Sequence, residues 1–375
     1  MSKKELLEKM VRRPKSFTDG DFLNLVHFEG EGAVNFDDLR HNIRRIYDMN
    51  ESSLLSESNP MQGSFGALNT KKQQKRRKNF FRRIRDGKTT KEYKTIVAEG
   101  DSWFCFPRYV VDINEWLLRD RRINLYSAAA AGDWIANMIY EGKYVEELSM
   151  IEPDVFLISG GGNDFVGSYR LSFMINTNID EGLEGDAFIE ACISDAFYAF
   201  IWTLKTQYWL LLSSLQKADK LKELRIMTQG YDYVIPSHKK WRGFDLIQWV
   251  INRFFTSTGD WLCTPLQLKG LHNKSRQELV MKHFIDKVNE MFAWLANYPN
   301  VEGTTGLPYR FPHLYHIDCR NVARNFYDWF DEIHLKSQRF KLIAAAYKHV
   351  IFEEPGFDPS KKVIRAIELE QAQDH

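Results

Sequence analysis

From Thr95 onward five short apolar runs recur with helical patterns between them, and this alternation constrains the fold more than any other feature. The runs are 95–99 (TIVAE), 123–127 (INLYS), 154–160 (DVFLISG), 223–229 (ELRIMTQ) and 314–318 (LYHID). Their compact hydrophobicity fits strands buried on both faces of a parallel sheet. Helical patterns lie among them, for example at 134–148 and 340–352. Such strand–helix alternation predicts an α/β chain folded as a three-layer α/β/α sandwich. A hydrophobic share of 44% and an aromatic share of 14% supply ample material for its core.

The spacing of the runs is uneven. The stretches 160–223 and 229–314 are too long for a simple crossover helix, so each holds an insertion, at about 165–220 and 231–312. Both are rich in aromatics: Phe197, Phe200, Trp202, Tyr208 and Trp209 in the first, then Trp241, Phe244, Trp249, Phe254, Phe255 and Trp261. They read as core or lid, or as the lining of an apolar acyl groove. The segment Phe197–Leu215 has about the length of a membrane span. It carries Lys205 and Gln207 and runs on into charged residues, so a buried or groove-lining helix is the better reading.

Residues 1–93 are expected to form a helical and basic extension, 94–355 the main α/β domain with its insertions, and 356–375 a C-terminal tail. Helices are expected at 2–12 and at 36–49, where Phe36, Leu39, Ile43 and Ile46 recur at helical spacing. The Ser-, Asn-, Gly- and Pro-rich stretch 50–70 reads as a linker or loop. Residues 71–94 are almost wholly basic. They serve either as a solvated helix or arm, or as a patch for anionic lipid headgroups or nucleic-acid phosphates. The formal net charge of +1 makes no such argument for the whole chain.

The N-terminus has no apolar stretch followed by a cleavage site, so a cytoplasmic protein is expected, with membrane association resting on the basic stretch. Cys105, Cys192, Cys263 and Cys319 are scattered without a CxxC pair, which suits free thiols, and Cys105 reads as a small core residue. His313 and His316 have no cluster of ligands beside them. Neither a metal nor a cofactor is expected.

Three motifs fall at strand ends. Gly100-Asp101-Ser102-Trp103 follows the first strand, where open α/β sheets place ligands. Gly100 allows a sharp turn, and the Ser102 amide is expected to point inward at a helix start. Gly160-Gly161-Gly162-Asn163-Asp164 follows the third strand. Its glycines permit close approach to a ligand, and Asn163 offers a side-chain donor, although by itself it could be a turn residue. Asp164 reads as structural, bonding nearby amides. Asp331-Glu332-Ile333-His334 follows the fifth strand. Asp331 can hold one imidazole nitrogen of His334 and leave the other to take the serine proton. A Gly-Asp-Ser alone arises by chance in roughly one chain of this length in ten, so the order and placement of the three carry the signal.

With these residues the chain resembles the SGNH, or GDSL-type, hydrolases from about Thr95 to Ile351. The matching blocks are Gly100-Asp101-Ser102, Gly161-Gly162-Asn163-Asp164 and Asp331-Glu332-Ile333-His334, with Gly132 of Ala128-Ala-Ala-Ala-Gly132-Asp133 as the lone glycine of the second block. The resemblance implies a flavodoxin-like sandwich with a five-stranded parallel sheet. It implies Ser102 as nucleophile, His334 as general base and then acid, and Asp331 as its orienter. The oxyanion would be held by the amides of Ser102 and Gly132 and the Asn163 side chain. Departures are the bulky Trp103, Leu335 where proline is common, and Gln338-Arg339 at the usual glycine position. The activity implied is hydrolysis of an ester through an acyl-serine, with a lipid or long-acyl ester slightly favoured on account of the aromatic insertions. A carbohydrate O-deacetylase is the near alternative. A different class is an inactive core that binds membrane or nucleic acid through 71–94.

Overall fold

The computed structural model describes residues 1–26, 60–106, 109–177, 179–180, 182–237, 260–298 and 309–373. The helix expected over 36–49, the loop 50–59 and the aromatics Trp241, Phe244, Trp249, Phe254 and Phe255 lie outside them. The five apolar runs are strands: β1 (Lys94–Gly100), β2 (Ile123–Ser127), β3 (Val155–Ser159), β4 (Arg225–Gln229) and β5 (Leu314–Asp318). Every residue of β2, β3 and β5 is buried, which is why they read as unbroken apolar runs.

All pairings are parallel, in the order β2-β1-β3-β4-β5-β6, with helices on both faces. The sheet therefore has six strands where five were expected. The sixth, β6 (Val363–Arg365), comes from the segment read as a tail, and it covers the outer edge of β5 with His316↔Val363 and Asp318↔Arg365 in register. Three residues beside a pair of lysines are too short for a periodic signal, yet they leave β5 without an open edge. Because β1 pairs with β2 on one side and β3 on the other, the chain reverses its winding direction there. Open α/β sheets bind ligands at the carboxyl ends of the strands at such a reversal, where Gly100↔Ser159 ends the β1–β3 ladder.

Six helices carry the packing that matters for the site: α1 (Lys3–Arg12), α2 (Asp19–Val26), α3 (Pro60–Arg85), α4 (Asp195–Lys217), α5 (Lys274–Asn297) and α6 (Ser337–Ile351). α1 starts with a capping box, in which Ser2 accepts from the Glu5 amide and Glu5 accepts from the Ser2 amide. α4, the segment of near-membrane length, packs against α5 through the stacked rings of Phe197 and Phe284 at 4.0 Å and through Tyr208 against Phe292 at 4.7 Å. No helix among the described residues is long and apolar enough to cross a membrane. The polar side chain that interrupts α4 has a specific place. Lys205 Nζ lies 3.3 Å from the Trp294 ring centroid and 2.6 Å from Asp19 of α2, which docks the N-terminal helices onto α4. Burial pulls that ammonium down to about 8.

α3 overturns part of the linker reading, since residues 60–70 are already helical. Its cations divide between two faces. Lys72 and Arg76 both pair with Asp112 at 2.6 Å, Arg77 pairs with Glu147 at 3.1 Å, and Arg83 donates to Asn124 at 2.7 Å. Lys71, Lys75, Lys78, Arg82 and Arg85 face solvent. Most of the basic stretch is thus a docked helix, held by these ion pairs and by Phe80, which is buried against Tyr126 at 5.5 Å.

In the core, His316 of β5 is fully buried, with Nδ1 3.2 Å from Thr228 Oγ1, Nε2 3.3 Å from Asn289 Oδ1, and its ring stacked on Phe292 at 5.1 Å. Burial pulls its pKa down to about 4 from an ordinary 6.5. The unfolded chain therefore takes up a proton first as pH falls. Stability is whole above about 6.5 and is lost progressively towards pH 4, by about 3 kcal/mol from this group. Urea unfolding across that range should show a shallower pH slope for His316→Gln than for the wild type; equal slopes would assign the acid lability elsewhere.

Candidate active site

The site begins where β1 ends. Gly100 has φ +157°, and a Cβ there would lie 2.7 Å from the carbonyl oxygen of Ser159, so the position demands glycine. The next four residues form a tight turn in which the amides of Phe104 and Cys105 bond to the Asp101 carbonyl at 3.2 and 3.0 Å. No helix starts at Ser102, contrary to expectation; the next one begins at Ile113. The Ser102 hydroxyl is carried on this turn, on a residue only 7% exposed.

Beneath it, Asp101 is buried and fully engaged. Its Oδ1 accepts from the Trp103 amide at 3.0 Å and the Ser159 hydroxyl at 3.2 Å, and its Oδ2 accepts from the Tyr231 hydroxyl at 2.5 Å. Burial pushes this carboxyl up, and the three donors pull it back towards the charged form. Tyr231 also accepts from the Gly162 amide at 3.0 Å, which ties the triple-glycine loop to the nucleophile turn.

The histidine sits on a hairpin-like loop. Trp329 and Leu335 form an antiparallel bridge, and the Phe330 amide bonds to the His334 carbonyl at 2.7 Å. Asp331 Oδ1 accepts from the amides of Ile333 and His334 at 2.9 and 2.8 Å, which folds the carboxylate back over the loop. From there Asp331 lies 2.8 Å from His334 Nδ1, and His334 Nε2 lies 2.6 Å from Ser102 Oγ. A carboxylate only accepts, so Nδ1 carries the imidazole proton and Nε2 is left to accept from the serine. The unusual Trp103 has a clear role here. Its indole N–H donates to the Ile333 carbonyl at 3.1 Å, across 230 residues of sequence, and joins the serine turn to the histidine loop. Leu335, in place of proline, is fully buried within the same bridge.

Asn163 lies at the start of the short helix Gly162–Val166 and lines the same small cavity as Ser102. Its Nδ2 donates to the Asp133 carbonyl at 2.9 Å, so one N–H is held by the loop after β2. Gly132 lies in that loop at φ +82°, a left-handed conformation that favours glycine. Asp164 is structural, as expected, and accepts from the Ile135 amide at 3.1 Å. The cavity measures about 30 Å³, and its apolar wall is formed by Phe165, Val166, Val234, Leu262, Ile285 and Ile333. On the other side of His334 stand the rings of Phe106, at 4.6 Å, and Trp261, at 6.1 Å.

All five residues singled out in the sequence thus fall around the carboxyl ends of β1, β2, β3 and β5. Ser102, His334 and Asp331 are in direct contact. Several other participants had no sequence signal beyond a place near a strand end: Tyr231, the serine-side role of Asp101, and Glu332. The Glu332 carboxylate accepts from the amides of Ser237, Leu262 and Cys263 at 3.0–3.2 Å and thereby binds the second insertion to the histidine loop. The four cysteines are free and buried, and burial pushes the Cys105 thiol up to about 11. His313 pairs with Glu223 at 2.9 Å. Among the described residues no group of three or more His, Cys, Asp or Glu gathers as a metal site would.

Removing the Tyr231 hydroxyl would leave the Asp101 carboxylate and the Gly162 amide each short of a partner inside the protein. Tyr231→Phe should therefore lose about 1–3 kcal/mol of stability in urea unfolding. A variant as stable as the wild type would mean that these bonds contribute nothing net.

No protein-family model and no curated protein matches the chain. Among solved structures it is similar to a protein described as a GDSL-like lipase from Parabacteroides merdae, at 11% identity over 69% of this chain and 95% of that one, with a TM-score of 0.33. An acetylxylan esterase from Geobacillus stearothermophilus is similar at 12% identity over 72% and 96%, TM-score 0.37. An extracellular lipase from Streptomyces rimosus is similar at 14% over 65% and 94%, TM-score 0.37. Likenesses this distant carry no weight for the chemistry. The fold is read from the chain's own sheet, a parallel α/β/α sandwich of the kind expected from the resemblance to SGNH/GDSL-type hydrolases, with one strand more.

Proposed function

We propose that the protein is a serine esterase that cleaves esters of small acyl groups through an acyl-serine. The observation that carries this reading is the continuous chain from Ser102 Oγ to His334 Nε2 at 2.6 Å and from His334 Nδ1 to Asp331 at 2.8 Å. In the proposed reaction His334 takes the Ser102 proton as Oγ bonds to the acyl carbon. The carbonyl electron pair moves onto oxygen, where the amides of Ser102 and Gly132 and the Asn163 side chain receive it. The intermediate collapses, the ester C–O bond breaks, and His334 returns the proton to the departing alkoxide. Water then repeats the sequence on the acyl-serine, releasing the acid and restoring the serine.

Acyl size is argued from the cavity. A volume of about 30 Å³ beside Ser102 and Asn163 has room for about one small group. Sites that enclose larger ligands run to several hundred Å³. This favours acetyl-sized esters over the long-acyl esters suggested by the aromatic insertions. Among the aromatics of the first insertion, Phe197 and Tyr208 are spent in the packing of α4 on α5. An acylated sugar alcohol is the second reading for the leaving group, favoured by the Phe106 and Trp261 rings packed around the His334 imidazole. Any binding of anionic membranes or nucleic acid falls to the outward face of α3, because its inward cations already have partners.

A fluorophosphonate probe should label the wild type and leave both Ser102→Ala and His334→Ala unlabelled. With p-nitrophenyl esters, kcat/KM should fall by at least about tenfold from acetate to octanoate. Asn163→Ala should lower kcat by about 10²–10³-fold. Undiminished labelling of Ser102→Ala would remove this nucleophile from the mechanism.

A further inference from the structure

The loop proposed to supply an oxyanion amide is Ala128-Ala-Ala-Ala-Gly132. It has no side chain beyond a methyl group with which to hold its own conformation. Its peptide groups are its only handles. The amides of Ala128, Ala129 and Ala130 bond to the Ala98 and Gly100 carbonyls of β1, and the groups that remain are taken by α3, which lies wholly outside the region of family resemblance. Gln73 Nε2 donates to the carbonyls of Ala128 and Ala129 at 2.8 and 3.0 Å. Asn69 grips Ala131 at both ends: its Nδ2 donates to the Ala131 carbonyl at 3.1 Å, and its Oδ1 accepts from the Ala131 amide at 3.1 Å. Asn69 is 4% exposed, so no water stands ready to replace these bonds.

The second of these grips matters for chemistry. The Ala131 carbonyl and the Gly132 N–H belong to one planar trans peptide and point in opposite directions. Holding the oxygen towards α3 therefore fixes the N–H on the far side. Gly132, at φ +82°, would tolerate a rotation of that peptide far better than any other residue, since glycine occupies both signs of φ. Left alone, the Ala131–Gly132 peptide is the softest joint in the loop.

We infer that Asn69 is a positioning residue that locks the Ala131–Gly132 peptide in the orientation that presents the Gly132 N–H to the reacting carbonyl. The inference rests on the esterase reading above. It makes the basic N-terminal helix a working part of the site through the polar stripe Asn69, Gln73 and Arg76, spaced four and then three residues apart on one face. Arg76 extends the same stripe to the nucleophile side, donating to the Phe104 carbonyl at 2.8 Å.

The test measures steady-state hydrolysis of p-nitrophenyl acetate by the full chain, comparing wild type, Ser102→Ala, Asn69→Ala and Asn69→Asp. Asn69→Asp keeps the shape and the bond from the Ala131 amide but sets a carboxylate oxygen against the Ala131 carbonyl. Both Asn69 variants should lose between about tenfold and 100-fold in kcat, with KM within about twofold, since substrate binding does not depend on the developing oxyanion. The shape of the pH profile should be unmoved. A merely structural role would lower the melting temperature and leave kcat per folded molecule intact. Wild-type kcat in folded Asn69→Asp overturns the positioning role while the esterase reading stands. A wild type with no Ser102-dependent turnover overturns the esterase reading, and the positioning role with it.

Discussion

The carboxylate of Asp101 is the point on which the geometry of the site depends. It lies beneath the serine turn, out of water, and takes hydrogen bonds from the turn itself, from β3 through Ser159 and from the end of β4 through Tyr231. Ser159 in turn accepts from Gln229, whose oxygen receives the Tyr347 hydroxyl of α6 at 3.0 Å. A single buried carboxyl group thus registers three strand ends and a helix against one another. A hydrogen bond is worth about 1 kcal/mol net between neutral groups and about 1.5–3 kcal/mol to a charged one. Leaving one of these groups unmet costs more than making it gains, so the network selects one arrangement and excludes its neighbours.

That arrangement matters because the contacting side chains come from distant segments of the chain. Ser102 and His334 are 232 residues apart in sequence and 2.6 Å apart in space. The Trp103 indole bond to Ile333 joins the same two loops a second time, without using either of those side chains. Glu332, between Asp331 and His334 in neither role, turns outward to receive three amides of the second insertion. Within four residues, the histidine loop carries one carboxylate held against the imidazole and another held by the insertion. In the proposed reaction, positional control of this kind would supply much of the rate.

What the sequence made legible follows from how local each feature is. Strands buried on both faces appear as unbroken apolar runs, so β1 to β5 could be read directly, whereas β6 gains its identity only by pairing with β5. The Asp331–His334 contact spans three residues and was readable as a motif. The Tyr231–Asp101 and Trp103–Ile333 bonds join segments 130 and 230 residues apart, and no local pattern encodes them. Substrate size is not legible in the aromatic insertions for a related reason. Composition showed many rings, but whether a ring lines a groove or packs one helix on another depends on the helix it faces. Residues 60–70 read as a loop because their Ser, Gly and Asn content lowers helix propensity; the bonds from Asn69 to Ala131 and from Gln73 to Ala128 and Ala129 supply the docking that intrinsic propensity lacks.

The choice of amide side chains on α3 has its own logic. A loop of small residues can pass close to a neighbouring helix but offers it only peptide groups to bind. An Asn or Gln side chain is also an amide, with N–H donors and an acceptor oxygen in one plane, so it can replace a missing strand partner without bringing a charge. Charge would matter at this place. An unscreened cation next to the loop would act on the oxyanion region whether or not substrate was bound, and an anion would oppose the charge that develops there. Where α3 brings a cation to the turn after β1, at Arg76, the guanidinium is paired with Asp112 at 2.6 Å beside its bond to the Phe104 carbonyl. Neutral amides contact the alanine loop, and Lys72 and Arg76, both paired with Asp112, contact the carbonyls of Phe106 and Phe104 on the serine side. The helix that looks in sequence like a generic basic arm is docked through a specific side chain at each of these places.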